Sequence, residues 1–430
     1  MNVLVLGAAV SGEAAARLAR GRGHHVEVYD ARAASLAGLR EDAFVVHSGA
    51  WSPDHLRNKD LVVTSPGFAE HSQPITDALA SGIPLVSELE FAASHLDADQ
   101  IAITGTNGKT TVTGLVADML VASGIDAVAA GNIGTALSTV AADPADVVVI
   151  EASSFQLRFI DRFAPRIAAI VNVAPDHLDW HGTFDAYVAA KARIFENQGR
   201  DGVVVVDADD PVAADLGNRS PGRAIAASGS AVTGDGVGVD DDEVVLGDHR
   251  FPAPDVGPSF LLDLVMAGAV ALEAGAVPAA VGGVIAGFTT GPHRRRTVGV
   301  WGGVRWVDDS KATNPHAAVA AVASFPSVVL IAGGRNKGLD LTPLVTHRAV
   351  TAVIAIGEAT DEITAVTDAH VASSLPEALA IADELATAGD TVLLAPGCAS
   401  FDMFDNYAAR GDAFATAVLS LKEESSWPAA

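Results

Sequence analysis

The chain has 430 residues, 49% of them hydrophobic and 41 of them glycine, enough for roughly three domains at about 150 residues each. Its formal charge of −26 argues against a general nucleic-acid surface, which needs clustered Lys and Arg, and no uninterrupted apolar run reaches the ~18 residues of a membrane span. A single cysteine, Cys398, excludes an intramolecular disulfide and a cysteine-rich metal site.

The opening "MNVLVLG" has no basic segment before it and reads as a first strand, not a secretion signal, while the lone cysteine makes a cytoplasmic protein the expectation. From residue 1 to about 90, "VLVLG", "HHVEVYD", "FVVHSG", "LVVTSPG" and "IPLVSE" alternate with helical or loop stretches, the rhythm of a parallel sheet with helices. "GAAVSG" at 7–12, followed by Asp30, matches G-x-G-x-x-G only in part, since Ala9 holds the middle position. A dinucleotide site would set pyrophosphate on the helix N-terminus and a ribose hydroxyl on Asp30. A tight strand-to-helix turn fits equally, and both readings stay open.

A second alternating block starts at residue 101 with "IAITGTNGKTT". Strict P-loop spacing would put a glycine at 103, where Ile103 stands. What remains is an apolar strand, a turn through Gly105, Thr106, Asn107 and Gly108, and a helix opening with Lys109, Thr110 and Thr111. Backbone N–H groups there favour an anion, Lys109 can reach terminal phosphates, and the Thr110 hydroxyl can ligate Mg²⁺. Glu151 follows "VVVI", and Asp176 with His177 follows "IVNVAP". Ligands of an open parallel sheet gather at the carboxyl ends of its strands, so these groups should converge with the loop, Glu151 being placed to hold Mg²⁺. Between about 223 and 251, short strands with Gly and Asp turns read as a decoration, followed by helical patterns over 259–275 and 278–287.

A third block carries "VRWVDDS", "SVVLIAGG", "AVTAVIAIG" and "TVLLAPG". At its apparent strand ends stand "DDSKATNP" (308–315), "GGRNKG" (333–338) and "APGCASFDMF" (395–404). Lys311 and Lys337, two lysines at equivalent strand ends in a chain with 27 basic residues, favour anion contacts. The final "KEESSWPAA" reads as a frayed tail.

Taken in this order, "TGTNGKT", "SPGFA" (65–69), "DDSKATN", "GGRNKG" and above all "PGCASFDMFDNYAARG" resemble the Mur ligases, the ATP-dependent amide-forming family of peptidoglycan synthesis. The resemblance covers nearly the whole length, and the family's loop variety accounts for Ile103. The C-terminal segments are similar to those of members that add D-glutamate to UDP-N-acetylmuramoyl-L-alanine. This implies an α/β fold in three domains. They are a Rossmann-like UDP-sugar domain (1–90), a P-loop-type mononucleotide-binding ATPase (91–290) and a Rossmann-like amino-acid domain (291–430).

By the same resemblance, Val10, Ser11, Asp30 and Arg32 lie near the uridine diphosphate, with Gly67 and Asn132 helping to hold the UDP-sugar. The loop residues from Gly105 to Thr111, with Asp263, Arg294 and Asp309, contact ATP, while Lys311 faces its phosphates. Thr110, Glu151, His177 and a carbamylated Lys191 hold Mg²⁺; from the residue pattern alone, Lys191 reads as an exposed helix lysine. Thr313, Lys337, Ser400, Phe401 and Tyr407 receive the incoming amino acid, and His177 is counted with the substrate groups as well. Lys109, Glu151, His177, Lys191 and Lys311 thus carry the chemistry. Two departures stand out: Asp263 where many relatives have asparagine, and Tyr407 where phenylalanine is common. The implied reaction phosphorylates the alanyl carboxylate, and the D-glutamate amine then displaces phosphate. A cytoplasmic monomer is expected, serving cell-wall growth, shape and division. The rivals are another Mur ligase, a nucleotide-responsive regulatory module, and a dehydrogenase built on "GAAVSG" and Asp30.

Overall fold

The computed structural model describes residues 1–424. Its first sheet joins β1 (Asn2–Leu6), β2 (His25–Tyr29), β3 (Val45–His47), β4 (Leu61–Thr64) and β5 (Leu85–Ser87) in the order β3-β2-β1-β4-β5, parallel throughout. Val3 to Leu6 are completely buried, as expected of a strand covered on both faces. Strand order reverses between β1 and β4, which opens a crevice at the carboxyl ends of these strands.

The second sheet holds β6 (Asp99–Thr104), β7 (Ala127–Gly131), β8 (Val147–Glu151), β9 (Ile167–Ile170), β10 (Val203–Asp207) and β11 (Arg223–Ala227), ordered β11-β10-β9-β6-β8-β7 and again parallel. The decoration expected from 223 begins later. Arg223–Ala227 pairs with β10 and completes the main sheet, and only β12 (Val237–Asp240), β13 (Glu243–Leu246) and β14 (His249–Pro252) form the antiparallel excursion. Helices Pro258–Glu273 and Pro278–Ala286 follow.

The last sheet contains β15 (Arg296–Trp301), β16 (Val304–Asp308), β17 (Val328–Gly333), β18 (Val350–Ile356), β19 (His370–Ala372) and β20 (Thr391–Gly397), ordered β15-β16-β20-β17-β18-β19. Only β15 runs antiparallel to its neighbour. Alternate residues feed two cores: Val307, Leu330 and Leu393 on one face, Trp306, Val329 and Val392 on the other. The structure is therefore α/β in three domains, each with its own parallel or mainly parallel sheet.

Contacts group the chain into two compact units. One comprises Met1–Val173 and Trp180–Gly287, and its core runs continuously from Val3 to Leu216. The other comprises Ala174–Asp179 and the chain from Phe288 onward. Of the tail expected to fray, residues 422–424 end the helix Tyr407–Glu424, and the rest lies outside the described residues. No helix among the described residues is long and apolar enough to cross a membrane.

Candidate active site

At the first crevice, Asp30 ends β2 and is 5% exposed. Its Oδ2 accepts the Ala8 N–H (3.0 Å) and its Oδ1 the Arg32 N–H (2.9 Å), so the carboxylate ties the glycine turn to the next loop. The dehydrogenase reading needs that carboxylate on a ribose, whereas here both of its oxygens hold backbone. A Cβ on Gly12 would fall 2.1 Å from the Gly7 carbonyl oxygen, so only glycine lets the helix Val10–Gly21 start so close to its turn. Val10 and Arg32 are exposed beside it, and Ser11 and Gly67 border the same edge. Sequence reasoning passed over Ser65, whose buried Oγ has no partner among the described residues and is a donor for an anion.

The second crevice is built around the 105–111 loop. Thr106 N–H donates to the Asn172 carbonyl (2.9 Å) and Asn107 N–H to Asn172 Oδ1 (2.8 Å), while Asn172 Nδ2 donates back to the Asn107 carbonyl (3.2 Å). Asn172, just beyond β9, therefore clamps the loop. The "IVNVAP" stretch offered the signal, a polar residue at a strand end. Helix Lys109–Ala122 starts from Gly108 at φ 81°, with Thr110 and Thr111 in its first turn. A Cβ on Gly108 would fall 2.4 Å from Asp263 Oδ1, so the Asp263 carboxylate lies directly against the loop.

Lys109 Nζ donates to the carbonyls of Gly105 (2.8 Å) and Thr106 (2.9 Å). Lys191 corrects the exposed-helix reading: it is 1% exposed, donates to the same Gly105 carbonyl at 2.6 Å and sits 4.6 Å from the Tyr187 ring centroid. Tyr187 in turn bonds Thr106 Oγ1 through its hydroxyl at 3.0 Å. Glu151 ends β8 opposite Ile103 of β6 and is 2% exposed. Its Oε1 accepts from Asn132 Nδ2 (2.8 Å), while Oε2 is buried with no partner among the described residues. A stranded carboxylate oxygen beside a phosphate loop fits a divalent cation.

The second unit gathers the C-terminal motifs. Asp308 Oδ2 meets buried His293 Nδ1 at 2.7 Å, and Asp308 Oδ1 accepts the Ser310 N–H. Burial pushes the neighbouring Asp309 carboxyl up to about 6, against the pull of Arg295 and Arg294, and its Oδ1 accepts the Arg295 N–H. Lys311 Nζ donates to the Tyr407 hydroxyl at 2.9 Å and lies 4.4 Å from that ring's centroid. Lys337 Nζ pairs with Asp176 Oδ1 at 3.0 Å, and Asn314 Nδ2 donates to Asp176 Oδ2. Burial works to raise the Asp176 carboxyl, but the charges of His177 and Lys337 outweigh it and hold it below its usual range. His177 has a φ of 52° and sets Nε2 3.7 Å from Asp176 Oδ2. Ser400 is buried at the end of β20, Thr313 is half-buried beyond β16, and Phe401 is 65% exposed. By its contacts His177 belongs to this unit, whereas Thr110, Glu151 and Lys191 belong to the first.

Three family models match in chain order: Mur ligase MurD-like N-terminal domain over 1–87, Mur ligase middle domain over 103–233, and Mur ligase glutamate ligase domain over 293–398. A UDP-N-acetylmuramoylalanine--D-glutamate ligase of Frankia casuarinae is 44% identical, covering 97% of this chain and 94% of its own. The chain belongs to the Mur ligase family. A Desulfotalea psychrophila ligase of the same name is 38% identical over 97% of this chain and 96% of its own. Membership makes this Mur ligase an ATP-dependent, ADP-forming amide ligase. Two solved structures share the fold. One is a pseudomurein peptide ligase type C from Methanothermus fervidus (TM-score 0.63, 16% identity, 98% of this chain and 99% of that one). The other is UDP-N-acetylmuramate-alanine ligase from Thermotoga maritima (TM-score 0.57, 18% identity, 98% and 100%).

Proposed function

We propose that this Mur ligase joins the amine of D-glutamate to the carboxyl of UDP-N-acetylmuramoyl-L-alanine, releasing ADP and phosphate, in the making of peptidoglycan precursors. The observation that carries the reading is end-to-end identity of 44% and 38% with ligases of that name. Residues 1–90 would take the UDP-sugar, 91–290 ATP, and the chain from 291 the amino acid. The reading brings with it a cytoplasmic location, where ATP is supplied, and a monomeric chain.

A carboxylate resists an amine because its leaving group would be oxide. Phosphorylation replaces that group with phosphate. Carboxylate and γ-phosphate are both anions, so neutralising their charge dominates the first step. In this reading Lys109 leaves its loop carbonyls for the phosphates, the loop N–H groups hold the β-phosphate region, and Lys311 compensates the transferred phosphoryl group. Arg294, Asp309 and Asp263 complete the ATP contacts. Thr313, Lys337, Ser400, Phe401 and Tyr407 receive D-glutamate, for which Lys337 must exchange Asp176 for a substrate carboxylate.

Glu151, with Thr110, His177 and Lys191, would hold Mg²⁺, which when bound supplies positive charge to the phosphate oxygens. The buried amine of Lys191 would serve as a ligand once carbamylated, since the carbamate replaces a cation with an oxygen donor. Bicarbonate labelled with ¹³C and read by NMR should report a carbamate that disappears in Lys191→Arg.

The reading is tested by incubating the protein with ATP, UDP-N-acetylmuramoyl-L-alanine and labelled D-glutamate, then L-glutamate, L-alanine or meso-diaminopimelate. Label should enter the nucleotide product only from D-glutamate. Incorporation of another amino acid instead would move the protein to a different ligase specificity, and ATP turnover indifferent to every amino acid would favour a regulatory module.

A further inference from the structure

Arg410 lies in the first turn of the helix Tyr407–Glu424 and is 1% exposed. Its Nε donates to Ser310 Oγ (2.9 Å), Nη2 to the Ser310 carbonyl (2.9 Å), and both Nη atoms to the Cys398 carbonyl (3.2 Å each). Ser310 Oγ passes its own hydrogen to the Tyr407 carbonyl at 2.7 Å. Ser310 directly precedes Lys311 in the loop after β16, and Cys398 stands two residues before Ser400 in the loop after β20. The third loop, after β17, closes on the same group: a Cβ on Gly334 would come 3.3 Å from Arg410 Nη1. Arg335 and Ala399 exchange backbone hydrogen bonds at 2.9 and 3.1 Å, which joins that loop to the β20 loop. One guanidinium thus underlies the loops bearing Lys311 and Thr313, Lys337, and Ser400.

Its charge is as informative as its geometry. The acceptors are a hydroxyl and two carbonyls, and among the described residues none of them is a carboxylate. A buried ion is costly to hold without a counter-charge, and folds normally pair it. Burial draws Arg410 down to about 10, so it stays protonated at neutral pH. Asp402 and Asp308 act on it through space without a hydrogen bond, and burial outweighs them, so a cation compensated only in part lies beneath three converging loops and leaves positive potential for an anion to complete. Lysine could supply the charge but not the flat fork that reaches two loops at once.

We propose that Arg410 is a positioning residue whose buried charge fixes the three amino-acid loops and selects a dicarboxylic over a monocarboxylic incoming substrate. The inference rests on the D-glutamate reading and adds to it the source of the preference for a second carboxylate. The test compares kcat/KM for D-glutamate with that for D-glutamine in the wild type, Arg410→Met and Arg410→Lys. In Arg410→Met the ratio should fall about tenfold, the size of one lost charge-assisted contact, chiefly through KM for D-glutamate, while KM for ATP moves less than about twofold. Arg410→Lys should keep the ratio while raising both KM values for the amino acids.

Loss of both efficiencies by the same factor, with the ratio unmoved, would mean a merely structural cross-link and overturn the proposal. If Arg410→Met does not fold, Ser310→Ala decides: it leaves the cation buried and frees one loop, so KM for D-glutamate should rise with the ratio preserved, and an unchanged KM overturns the positioning role. A wild type that prefers D-glutamine overturns the D-glutamate reading as well, whereas a wild-type preference for D-glutamate with an unmoved variant ratio strikes Arg410 alone.

Discussion

Lys109 and Lys191 share the Gly105 carbonyl oxygen at 2.8 and 2.6 Å, which makes the loop electropositive in a chain whose net charge is −26. Lys109→Ala should therefore fold normally and lose about 10²–10³ in kcat, as removal of one preorganised charge contact does; a steady-state phosphate-release assay measures it. Tyr407→Phe keeps the ring against Lys311 but deletes the hydroxyl that accepts its ammonium at 2.9 Å. Its kcat should change within about tenfold, since one hydrogen bond is worth roughly 0.5–1.5 kcal/mol net. Away from the loop, burial pushes Asp207 up to about 7. The folded chain then keeps a proton that the unfolded chain gives up near pH 4, so stability declines as pH rises between those values. Asp207→Asn should melt higher than the wild type at pH 8, by on the order of 1–3 kcal/mol, and equal it near pH 4. At this scale the sequence was readable where the motif itself names the chemistry, as in Gly108 and Lys109. Lys191 and Arg410 were not readable from their own neighbourhoods. What buries them is a contact with Gly105, 86 residues away, or with Ser310, 100 residues away, and no helical periodicity encodes that.

Among the elements, "VVVV" in β10 and "VVLIAG" in β17 announced themselves because both faces of those strands are buried. β7 and β11 did not, since "AVAAG" and "RAIAA" are alanine-rich and carry little strand propensity. Their place is set by pairing with β8 and β10 instead. β19 has only three residues, too short for a periodic signal. The segment Ala174–Asp179 was visible as a strand-end motif, but its membership in the second unit follows from Asp176 meeting Lys337 and Asn314, 161 and 138 residues away. Asp176 is held below the usual carboxylate range. Its contribution to stability is therefore present above about pH 4 and lost as pH falls through the depressed value. Asp176→Asn should lower the melting temperature at pH 7, and the difference should narrow at a pH below about 4. Thermal melts at the two pH values check it.

For the whole molecule, the three-domain α/β plan was legible because three alternating blocks each carry a strand-end motif. The phosphate loop belongs to one compact unit and Lys311, Thr313 and Lys337 to the other, so the proposed reaction needs both. The central claim, that an inert carboxylate becomes acylating through phosphoryl transfer, is tested most directly by ¹⁸O in the alanyl carboxylate of UDP-N-acetylmuramoyl-L-alanine. One labelled oxygen should leave with each phosphate released and the other remain in the new amide. Unlabelled phosphate accompanying full product formation would contradict the account.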